Sequence, residues 1–141
     1  MNVDLAEKEE KGSFDLKGGG KVHLRLRNEK DEEEIAAACV TTVVEYPWLP
    51  DIVDGQPQTT GKYVRFESEK TDWKLKLPMC WDRNITGWDG VLENGKPVPV
   101  TEENKSSLMR HNPAFSEAVT KGLEALQAAS KVRAKAAEKN L

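Results

Sequence analysis

Only two cysteines and two histidines occur among the 141 residues, too few and too scattered for a structural zinc site or a disulfide framework. Cys39 and Cys80 lack a CxxC spacing, and with no export signal they are expected to be reduced core thiols. No apolar run approaches the ~18 residues of a membrane span, and Met1 to Gly12 holds four acids and two lysines where a signal peptide would be apolar. A soluble chain outside the Sec export route is the expectation. Positive charge is not in excess either: the net charge is −3 and the pI about 5.5, so nothing marks the whole molecule for bulk nucleic-acid binding. Large aliphatic and phenyl side chains are sparse, with Val, Ile, Leu and Phe together numbering 30 residues, near the ~20% below which chains tend to disorder. The low net charge argues against wholesale disorder, so a modest core with polar ends is expected.

What is present falls into one domain by length. Residues 1–12 read as a mobile leader, 13–127 as a single α+β domain, and 128–141 as a basic, alanine-rich helical or mobile tail. The domain is expected to hold a small antiparallel sheet with hairpins, packed against helices and followed by a C-terminal helical pair. Phe14 and Leu16 alternate with polar residues, Gly18-Gly19-Gly20 permits a turn, and Val22, Leu24 and Leu26 alternate with Lys21, His23, Arg25 and Arg27, a hairpin pattern. Asp31 and Glu34 match a capping box, and Ile35, Ala38, Cys39, Thr42, Val43 and Tyr46 continue a helical stripe, predicting a helix over 31–46. The β-branched run Val40 to Val44 keeps a strand as the alternative there.

Residues 47–61 contain three prolines and two glycines and read as a long surface loop. Strands are expected over 62–67 and 72–77, then a short helix from Pro78 to Ile85; a helix through Trp73, Leu77, Cys80 and Trp81 competes, at the cost of an interior proline. Asn94-Gly95 marks a hairpin between Val91 to Glu93 and Lys96 to Val100. Thr101 caps a helix that ends at Asn112-Pro113, and Phe115, Ala118, Val119, Gly122, Leu123 and Leu126 stripe the last one. The hairpin and the 62–67 strand are expected to pack on the 31–46 helix.

None of His23, His111, Cys39 or Cys80 sits in a catalytic motif, and Gly18-Gly19-Gly20 leads into a basic strand rather than the helix that a phosphate loop requires. No enzyme activity, metal or cofactor is expected. Trp81 and Trp88, seven residues apart around Asp82-Arg83, suit either a core corner or an aromatic interface anchor; core is the favoured choice in a chain with so few large apolar residues. Candidate partner-binding residues are therefore Trp81, Arg83 and Trp88, with Lys131, Arg133 and Lys135 of the cationic tail. A basic face of Lys21, His23, Arg25 and Arg27 is the alternative, and would serve a nucleic-acid or regulator-binding module.

Ser13 to Arg25, the passage Asp82 to Val91 with its Gly87-Trp88-Asp89-Gly90 turn, Asn94 to Lys105, and Asn112 to Phe115 together resemble small tail-morphogenesis proteins of tailed bacteriophages and prophages, often described as tail assembly chaperones. The likeness spans most of residues 13–126 in order. It implies a non-enzymatic assembly factor in the bacterial host cytoplasm that binds the helical tape-measure protein, with self-association possible. A small virion or tail-completion protein is the other implied role. No catalytic residue is carried over from it.

Overall fold

Gly20 adopts φ +93°, and a Cβ there would stand 2.5 Å from the Asp89 carbonyl oxygen, so the turn approaches its neighbour as only glycine allows. A computed structural model describes residues 10–139. The turn joins β1 (Lys11–Asp15) to β2 (Lys21–Arg25), and β7 (Ile85–Asp89) pairs with the other edge of β2 to complete an antiparallel sheet of order β1-β2-β7. The sheet therefore starts at Lys11, inside the span expected to be a leader; residues 1–9 of that span lie outside the described residues.

Ile85 and Trp88 are both buried although three residues apart. A register shift in β7 opposite His23 and Leu24 accommodates one extra residue and lets both side chains face the core. Their cover is α4 (Pro113–Lys139), which lays Phe115, Val119 and Leu126 against Val22, Leu24, Ile85 and Trp88. The expected cover, a helix over 31–46, does not have this role: α1 (Glu29–Cys39) instead packs Ile35 and Cys39 against Met79 and Cys80 in a second cluster. Both cysteines are free and buried.

Gly122 is the point of closest approach between α4 and the sheet: an added Cβ would lie 2.6 Å from Leu24 Cδ1 and 2.8 Å from the Phe14 ring. Gly122→Ala is expected to lower stability by about 1–3 kcal/mol through overpacking, outweighing the ~1 kcal/mol that alanine gains in a helix. Urea unfolding of the two forms checks this; a raised midpoint would contradict it.

The helix cap is Asn28, whose side chain accepts from the Asp31 N–H while Asp31 accepts from the Asn28 N–H. Asp31 thus serves as the reciprocal partner of the box rather than its start. The helix stops at Cys39 because the next five residues are all β-branched and crowd a helical turn; they form β3 (Val40–Glu45) instead. Beyond it, the expected loop is a second hairpin of β4 (Trp48–Val53) and β5 (Gln56–Tyr63), closed by Asp54-Gly55 with both residues at positive φ. That is the two-residue turn geometry that strand twist favours. β6 (Phe66–Thr71) returns along β3, so the expected 62–67 strand straddles the end of β5 and the start of β6.

Residues 73–77 are helical, not extended. Asp72 caps α2 (Trp73–Asn84) by accepting from Lys74 and Leu75, and the helix runs through Pro78. The alternation of Trp73, Leu75 and Leu77 had suggested a strand, but all three are exposed, so no buried face enforces that period. β8 (Leu92–Glu93) and β9 (Lys96–Pro97) form the small Asn94-Gly95 hairpin, shorter than the expected return strand to Val100. Thr101 caps α3 (Glu102–His111) and Asn112 accepts from the Phe115 N–H at the start of α4, giving the helical pair and an α+β fold.

Candidate functional site

Strand alternation points Lys21, His23 and Arg25 away from α4, and the chain supplies acids to meet the basic row. His23 Nε2 lies 2.7 Å from Asp89 Oδ2, and its Nδ1 lies 2.7 Å from Ser13 Oγ, directly across the β1–β2 pair. In a neutral ring with Asp89 as the acceptor, Nε2–H is the donor and Nδ1 is left to accept from the Ser13 hydroxyl. The order matches a Ser-His-Asp relay with the ring nitrogens exchanged. It lies on an open sheet face, however, with Ser13 exposed and Asp89 78% exposed. Larger clefts are lined elsewhere; the one of about 510 Å³ lies between α2 and α3, with Pro78, Glu102, Ser106 and Arg110 in its walls. The row ties three strands together rather than lining a cleft.

Arg25 forks onto Asp31 at 2.7 and 3.1 Å, and Arg83 of α2 reaches Asp31 at 3.4 Å and Glu34 at 2.7 Å. Arg27 meets Glu32 at 2.6 Å and Asn84 at 2.9 Å. Asp31 is buried at the centre of this belt. The hydrogen-bonded Arg25 guanidinium, opposed by burial and aided by the Asn28 N–H, holds its carboxyl at about 2, below the ordinary 3.8. Residues that form a basic row in sequence thus join the sheet to α1 and α2, leaving Lys21 as the exposed cation at its end.

Trp88 is 7% exposed, donates its indole N–H to the Val98 carbonyl at 2.8 Å and packs edge-on against Phe115. It is a core residue, out of reach of a docking protein. Trp81 is half-buried under the Arg110 guanidinium, 5.6 Å from the ring centroid. Arg83 is committed to its two carboxylates. Lys131, Arg133 and Lys135 lie on the exposed second half of α4, away from Trp81 and Trp88, and Arg133 meets Glu10 at 2.6 Å. The six candidates therefore do not form one site.

The strongest surface feature was not expected. β3 to β6 form a two-stranded ribbon that leaves the body between α1 and α2, and it exposes Tyr46, Trp48, Leu49, Ile52, Val53, Tyr63 and Phe66. Cross-strand partners share a side, so Trp48 and Pro50 lie with Tyr63 and Gly61 on one uncharged face, up to the register shift between Pro50 and Ile52. The Trp48 ring lies over Gly61, where a Cβ would come within 2.6 Å of it. Asp54-Gly55 was the sequence signal for this hairpin.

No helix among the described residues is long and apolar enough to cross a membrane. No group of three or more His, Cys, Asp or Glu among them is placed to hold a metal ion. No protein-family model, curated protein or solved structure matches the chain.

Proposed function

We propose that this chain is a non-enzymatic morphogenesis factor of phage tails that holds the tape-measure protein before tail-tube subunits surround it. The likeness over residues 13–126 supports this reading, and one structural observation carries it further. After Leu126, α4 contributes no buried residue, yet the helix continues to Lys139. These last 13 residues project about 20 Å at the helical rise per residue. Their exposed Lys131, Arg133 and Lys135 suit an acidic helical client, and helix-on-helix docking needs no cleft.

Deleting residues 131–141 is expected to change the melting temperature little, because residues 131–138 are all exposed and the segment's described ion pair joins the exposed Arg133 to a partly buried Glu10. Recovery of a co-expressed tape-measure protein should fall sharply. Equal recovery by the intact and shortened chains, or a large loss of stability in the shortened one, would overturn the reading.

A further inference from the structure

We infer that the ribbon is a self-association arm whose apolar face seats on the start of α2 in a second copy of this chain. A two-stranded ribbon is marginally stable by itself in water and gains order from a third layer. Among the described residues that layer is missing: Trp48 is 44% and Tyr63 73% exposed on the uncharged face, with Ile52 63% exposed beyond the register shift.

The same chain carries a matching surface. Trp73 and Leu77, one helical turn apart on α2, are 59% and 43% exposed, and the Lys76 ammonium lies 4.8 Å from the Trp73 ring centroid. Lys74 is exposed beside them. Charge selects this pairing over ribbon on ribbon. Residues 40–71 hold five acids, Glu45, Asp51, Asp54, Glu67 and Glu69, against three bases, Lys62, Arg65 and Lys70. Two ribbons therefore repel, whereas the Asp51 and Asp54 end of one is attracted to Lys74 and Lys76 of another.

Donor and acceptor are different surfaces, so each copy offers one of each and the contact is head-to-tail. The eight residues of β5 span about 27 Å. A strip of that length is smaller than the ~800 Å² per partner of a standard interface, so association is weak and concentration-dependent.

Sedimentation across a concentration series of the full chain tests this. The parent is expected to associate, and Trp48→Ser with Tyr63→Thr, or separately Trp73→Ser with Leu77→Ser, should each weaken association about tenfold or more. An equimolar mixture of the two double variants should restore a one-to-one complex, since each retains the surface that the other lacks. Far-UV circular dichroism and melting establish that both remain folded. Lys76→Glu, a charge change outside the buried clusters, should weaken association as well. A parent that stays monomeric, either double variant associating like the parent, or a mixture that stays monomeric would overturn the inference. None of these outcomes depends on tape-measure binding, which is read from α4.

Discussion

Asp31→Ala is expected to destabilise the protein by about 3–5 kcal/mol, the scale for removing one partner from a buried ion pair. The carboxylate is 4% exposed, accepts two hydrogen bonds from Arg25 and one from Arg83, and closes the capping box at Asn28. Three elements, β2, α1 and α2, lose a common anchor when it goes. Its titration gives the effect a pH signature. The folded-state pKa of about 2 lies below the ordinary 3.8, so folding favours the carboxylate. The stabilisation is complete above about 4 and is lost as the pH falls through the window from 3.8 towards 2. Asp31→Asn has no such titration. Urea midpoints of parent and asparagine variant should differ clearly at pH 5 and converge near pH 2; a constant gap across that window would refute the assignment.

Trp88→Ala should cost a similar ~3–5 kcal/mol, the usual range for truncating a buried aromatic. The ring fills the corner between β7 and α4, meets Phe115 with centroids 5.7 Å apart and donates to Val98, which fixes the segment after the Asn94-Gly95 turn. Thermal melting measures the loss. A variant that melts like the parent would show that the corner is not the keystone its burial indicates.

The β1–β2 hairpin and the last two helices were legible because each has strict periodicity, a strong turn or cap, and a buried face that enforces it. Thr101, Asn112-Pro113 and the Phe115 to Leu126 stripe all agree with one another, and the structure follows them. The largest misreadings fall in residues 31–78, where sequence period and burial part company. Thr42, Val43 and Tyr46 extend the helical stripe of Ile35 and Cys39 numerically, but none of them belongs to a buried cluster and β-branching decides. Trp73, Leu75 and Leu77 alternate like a strand yet bury nothing, so the Asp72 cap decides in favour of a helix. The basic row was legible as a row; that acids from α1 and β7 would meet it was not, because Asp31 and Asp89 are brought there by tertiary contacts. Asp54-Gly55 was a local signal strong enough to reveal the outer hairpin, but the neighbouring prolines masked it.

The Asp72 N–H donates to the Cys39 carbonyl at 2.8 Å, so the chain re-enters the body beside the point where it left. Residues 40–71 are therefore an insertion with its ends already joined, and the body on either side does not depend on their length. Closing such a detour costs only ~0.6 kcal/mol for each doubling of its length. A change in the length of this segment is therefore expected to leave the packing of α1, α2 and the sheet in place.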